Sequence, residues 1–73
     1  MFTNHAKSVI SRENVDQRVV EQIIHKPDHK QYDDDEKVRF IGTAHGDKLH
    51  VIAKYLPDES KWLIITVELR YKR

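Results

Sequence analysis

Cysteine is absent from the 73 residues, which excludes a disulfide framework, a zinc–thiolate site and a thiol nucleophile. Glycine and proline occur only twice each, leaving few breakers and no flexible linker. No long hydrophobic run exists: stretches such as Leu63-Ile64-Ile65 fall far below the ~20 residues of a membrane span. The opening Met1-Phe2-Thr3-Asn4-His5 has neither the basic start nor the apolar stretch of a secretory signal. An excess of one charge is missing too, since thirteen Lys and Arg stand against twelve Asp and Glu for a net charge of +1. Composition alone therefore does not announce a nucleic-acid binder.

What is present suits one small domain spanning 1–73 with a thin core and a well-solvated surface, resident by default in the cytoplasm and making no membrane contact. Charged residues are 34% of the chain and apolar ones 38%. The charge is unevenly spread. Asp33-Asp34-Asp35-Glu36 holds four of the twelve acids, whereas Lys61, Arg70, Lys72 and Arg73 oppose only Glu68 from Lys61 onward. A neutral sum can thus conceal a basic working surface.

Before Pro27 the apolar period is helical. Val15, Val19 and Ile23 fall at i, i+4 and i+8 beside Val20 and Ile24, with Asn14 or Asp16 as N-cap. Pro27 stops that helix. Ahead of it, Thr3 or Asn4 can cap a shorter helix turning Ala6, Val9 and Ile10 inward. After Pro27 the period is two, in runs around Val38–Ile41, Leu49–Leu56 and Trp62–Arg70, separated by turn residues at 45–47 and 57–60. Residues 29–33 can add an edge strand. The expected fold is α+β, two N-terminal helices packed on one face of a three- or four-stranded antiparallel meander.

Strict alternation assigns the faces. Val38, Phe40, Leu49, Val51, Ala53, Leu63, Ile65, Val67 and Leu69 are expected under the helices. Arg39, Ile41, Thr43, His50, Ile52, Lys54, Trp62, Ile64, Thr66, Glu68 and Arg70 then share the open face, a half-apolar surface rimmed by charge, as binding surfaces are. A homodimer seam is the alternative use of such a face.

His5-Ala6, Arg12, and the helix from Val15 to Ile24 that ends in Lys26-Pro27-Asp28 resemble a family of small bacterial and archaeal domains of unknown function. Val38-Arg39-Phe40, Lys48-Leu49-His50-Val51-Ile52 and Ile64-Ile65-Thr66-Val67 match that family's strands. The family is grouped with the RelE-like toxins of the barnase–EndoU–colicin–RelE fold, and the strand ending at Arg70 is also similar to that of BrnT-type toxins. The resemblance implies a RelE-like fold and a metal-independent endoribonuclease toxin of a toxin–antitoxin pair. It would cleave mRNA, free or on the ribosome, without cofactor, with a cognate antitoxin as partner. Two positions depart from the family pattern. Its first arginine is Val9 here, and its Arg-Gly before the second helix is Arg12-Glu13. The departures favour the alternative, a non-catalytic RNA- or protein-binding module of the same fold, as a degenerate toxin or a homodimeric interaction domain.

Metal-free RNA cleavage requires a base for the 2′-hydroxyl, cations for the charge building on phosphate, and an acid for the leaving 5′-oxygen. Arg39, Lys54 and Arg70 are the candidate cations, His5, His50 and Glu68 the candidate acid and base. Arg12, Thr66, Lys72 and Arg73 are candidate RNA contacts, with Trp62 as a stacking platform. His25 and His29 straddle Pro27, so helical metal-ligand spacing fails and no metal site is expected.

Overall fold

The computed structural model describes residues 1–33, 35–44 and 46–70. Helices α1 (Asn4–Arg12) and α2 (Gln17–His25) precede strands β1 (His29–Tyr32), β2 (Lys37–Ala44), β3 (Asp47–Leu56) and β4 (Lys61–Arg70). The strands form one antiparallel sheet in chain order, so the expected helix–helix–meander arrangement is present and β1 is its fourth, edge strand. Among the described residues no helix is long and apolar enough to cross a membrane.

Capping explains the helix limits. Thr3 caps α1, its hydroxyl accepting the Ala6 N–H at 3.1 Å, and Asp16 caps α2 by accepting the Arg18 N–H at 2.9 Å. Asn14 does not cap α2. It ends α1 in the left-handed region (φ 55°), while the Val15 N–H closes on the Ile10 carbonyl and the Asn14 N–H on the Ser11 carbonyl. A short polar side chain tolerates that backbone, and the reversal brings Val15 against the core. Ala44 pairs directly with Asp47, and Gly46, just before β3, takes the left-handed φ of 82° that glycine permits.

The helices cover one sheet face, α1 lying against β4 and α2 against β2 and β3. Ala6, Val9 and Ile10 from α1, and Val20 and Ile23 from α2, meet Val38, Phe40, Leu49, Val51, Ala53, Ile64 and Val67. The face assignment by strict alternation fails in the first half of β4. Ile52 pairs with Thr66 but Ala53 pairs with Ile64, so β4 carries one extra residue at Ile65. Such a bulge reverses the phase of the side chains before it. Ile64, expected on the open face, is 3% exposed in the core, and Trp62 packs edge-on against Phe40 with ring centroids 5.0 Å apart. Leu63 and Ile65, expected in the core, are left out of it.

The chain start meets this same stretch. Phe2 forms a parallel bridge to Ile64: the Thr3 N–H donates to the Ile64 carbonyl at 3.0 Å and the Ile64 N–H to the Met1 carbonyl at 2.7 Å. The Thr3 hydroxyl also donates to the Ile65 carbonyl at 2.9 Å, at the bulge itself. Residues 1–3 thus cover part of the β4 edge and bury Phe2.

Gly42 shows how closely α2 approaches the sheet, since a Cβ there would stand 2.6 Å from Ile23 Cγ1. Gly42→Ala is expected to cost about 1–3 kcal/mol by overpacking. In an Ile23→Ala background the same change should cost little, and urea denaturation of the four proteins measures the coupling.

Candidate functional site

The open face is built by alternation on β2, β3 and the second half of β4, where the register is regular. Ile41 pairs with His50 and His50 with Glu68, while Arg39 pairs with Ile52 and Ile52 with Thr66. Long side chains on diagonal positions of one face can meet. Arg39 does so twice: its Nη1 lies 3.0 Å from His50 Nδ1 and donates to Glu68 Oε1 at 2.9 Å. Arg70 Nη2 donates to the same Glu68 oxygen at 3.2 Å, and Asp33 Oδ2 stands 3.8 Å from Arg39 Nε.

The electrostatics follow from these bonds. A guanidinium only donates, so the His50 nitrogen facing Arg39 is an acceptor and the neutral ring carries its proton on Nε2. Burial, then Arg39 and Arg70, push the His50 pKa below the ordinary imidazole value, with Glu68 alone opposing them among carboxylates. The hydrogen bond from Arg39 is the largest influence on Glu68 and holds its carboxyl below the ordinary range. At neutral pH the cluster is therefore a carboxylate clamped between two arginines beside an uncharged histidine. Ile52 sits beneath them, only 7% exposed, so the half-apolar open surface expected from sequence is much smaller: Ile52 is buried and Ile64 belongs to the core.

Around the β4 edge this cluster borders a cleft of about 400 Å³ between α1 and β4. His5, Val9, Arg12 and Glu13 form its helical wall, and Thr66, Glu68 and Arg70 its strand wall. Arg12 Nε lies 3.7 Å from Glu13 Oε1, a pair too exposed to hold the arginine back. The candidates His5, Arg12, Thr66, Glu68 and Arg70 thus line one depression, with Arg39 and His50 bonded behind Glu68. Two others stand apart. Lys54 is on the same face farther along β3, where its Nζ lies 3.8 Å from Glu36. Trp62 is on the helix face, T-shaped against both Phe40 and Tyr55, and offers no stacking surface beside Arg39. Lys72 and Arg73 lie outside the described residues.

Sequence reasoning missed Asp33 and Glu36, which it counted only as members of the acidic run 33–36. The position of Asp33 just beyond an edge strand beside Arg39 is the one available clue. Among the described residues no group of three or more His, Asp or Glu side chains is placed to hold a metal ion.

Both shifted groups bind protons less readily in the folded chain than in the unfolded one. Their contributions to stability are present above the unfolded values and fade as pH drops, for His50 below about 6.5 and for Glu68 below about 4.3. An NMR titration of the His50 ring should give a midpoint below about 6.5. Glu68→Gln should lower it further, because that carboxylate is a neighbour favouring the charged ring.

A protein-family model described as a domain of unknown function, DUF4258, matches residues 2–68. No curated protein and no solved structure matches the chain.

Proposed function

We propose that this chain, which belongs to the DUF4258 family of domains of unknown function, binds RNA through the Arg39–Glu68–Arg70 cluster and cleaves it without a metal, as a RelE-like toxin. The observation that carries the reading is the convergence of His5, Arg12, Thr66, Glu68 and Arg70 on one cleft, with Arg39 bonded to the same carboxylate. Two guanidiniums that share one carboxylate oxygen are poised to exchange it for phosphate oxygens, which they can grip in pairs.

That exchange also prepares the base. While both arginines hold Glu68, its carboxylate is weakly basic. Once they turn to phosphate, its pKa climbs towards the ordinary carboxylate range and it can accept the 2′-hydroxyl proton. The 2′-oxygen then bonds to phosphorus, the bond to the 5′-oxygen breaks, and a cyclic 2′,3′-phosphate is left. His5, on the α1 wall, is the group that would deliver a proton to the departing 5′-oxygen. Neutral His50 serves a different end, holding Arg39 by its Nδ1. Lys54 extends the basic surface along the RNA, and the cognate antitoxin that a toxin requires would cover the Arg39–Arg70 face.

A second reading has its own support. Val9, where the pattern of the resembling family has an arginine, is 6% exposed at the cleft wall. With one cation fewer, the cleft suits a module that holds RNA without cutting it.

Induced expression of the wild type should arrest growth and degrade RNA, and an Arg39→Ala/Arg70→Ala variant should do neither while keeping its circular dichroism. With purified protein, Glu68→Gln should slow cleavage about 10²–10⁴-fold, the range of a lost general base. Intact RNA and normal growth with the wild type would discard cleavage, and RNA bound but uncut would leave the binding module.

A further inference from the structure

The two edges of the sheet are treated differently. Residues 1–3 cover part of the β4 edge, whereas all four residues of β1 are exposed and the outer side of β1 has no partner among the described residues. Unpaired strand edges are templates for further pairing. The phase of the β1 ladder is set by the Asp33 N–H, which donates to the Lys37 carbonyl at 2.8 Å. In an antiparallel ladder this makes Tyr32–Val38 a non-bonded pair and directs the Gln31 peptide groups inward to Arg39. The N–H and C=O groups of Lys30 and Tyr32 consequently point outward.

We infer that β1 pairs antiparallel with β1 of a second copy of this chain, about a two-fold axis at Gln31, joining two four-stranded sheets into one. This register is singled out by the backbone. The Lys30 N–H and C=O meet the C=O and N–H of Tyr32 in the second copy, and the two-fold repeats the exchange. A shift of one residue would oppose these groups to the inward-facing Gln31, and a shift of two towards the strand start would set Tyr32 against Asp28, whose N–H is already given to the Ile41 carbonyl.

The side chains agree with it. On the open face His29 lies beside Asp33 of the second copy, and Gln31 meets Gln31, whose amides can donate to and accept from each other. On the other face Lys30 lies beside Tyr32 of the second copy. Its Nζ is already 5.6 Å from the centre of its own Tyr32 ring and 5.5 Å from that of Phe40, so each lysine gains another aromatic neighbour. Tyr32, 75% exposed in the single chain, gains a partner by this pairing. The helices do not obstruct it, since they lie over β2, β3 and β4. Both Arg39 clusters would then open on one continuous face.

Sedimentation equilibrium of the full chain over a wide concentration range tests the pairing. The mass should rise from 8.7 kDa towards twice that value. Tyr32→Pro removes an outward N–H and leaves the inner ladder its bonds, and Gln31→Glu sets two carboxylates face to face at the axis. Each should weaken association at least tenfold with unchanged circular dichroism, while Lys54→Glu on the same sheet leaves it as it is. If Tyr32→Pro unfolds the chain, Gln31→Glu carries the test. A monomer at every concentration would overturn the inference, and so would a dimer indifferent to Gln31→Glu.

Discussion

The rest of the molecule depends on one extra residue in β4. The bulge at Ile65 lets a single strand serve two faces, with Trp62 and Ile64 turned to the helices before it and Thr66, Glu68 and Arg70 turned away after it. Without it, either an indole and an isoleucine would lie open to water or the charged residues would point into the core, each at a cost of several kcal/mol. Thr3 holds this point from outside. Its hydroxyl binds the Ile65 carbonyl and caps α1, so the strand irregularity, the helix start and the chain's first residues form one connected unit. Because α1 is anchored there, His5 and Arg12 come to lie along the β4 edge and the cleft has a second wall.

The charge in that cleft is held in reserve. Glu68 absorbs both arginines, Asp33 stands near the first of them, and His50 stays uncharged. On the proposed reading, this is how a chain of net charge +1 would offer a phosphate site without displaying a basic patch at rest. The cluster is partly exposed, with the Glu68 side chain 39% and the Arg39 side chain 23% accessible, so the ion pairs are worth little as stability. On the proposed reading their value lies in orientation, since two guanidiniums already face a common point and would need only to change partners.

Much of this was legible in the residues. Helical spacing before Pro27 and alternation after it point to both helices and the meander, and the edge strand allowed at 29–33 is present over His29–Tyr32. Arg39, His50, Glu68 and Arg70 could be placed on one face because the register from 48 to 52 on β3 and from 66 to 70 on β4 is unbroken. Trp62, expected on the open face, lies on the other. The run Leu63-Ile64-Ile65 is apolar in either phase, so nothing in it marks where the alternation slips, and tertiary packing against Phe40 and the chain start decides the matter. Asn14 and Asp16 are both able to cap α2 by residue type, and the left-handed turn that ends α1 decides between them by taking Asn14 for itself. Asp33 and the cleft walls arise from packing between segments distant in sequence, which no local pattern reports.

The central claim is that Arg39 and Arg70 leave Glu68 for RNA phosphate. The most direct measurement is an NMR titration of their side-chain Nε–Hε signals with single-stranded RNA at two salt concentrations, in the wild type and in Glu68→Gln. Both signals should move on binding, the affinity should fall as salt rises, and Glu68→Gln should bind more tightly, because the competing carboxylate is gone. Arginine signals that stay in place, or weaker binding by Glu68→Gln, would contradict it.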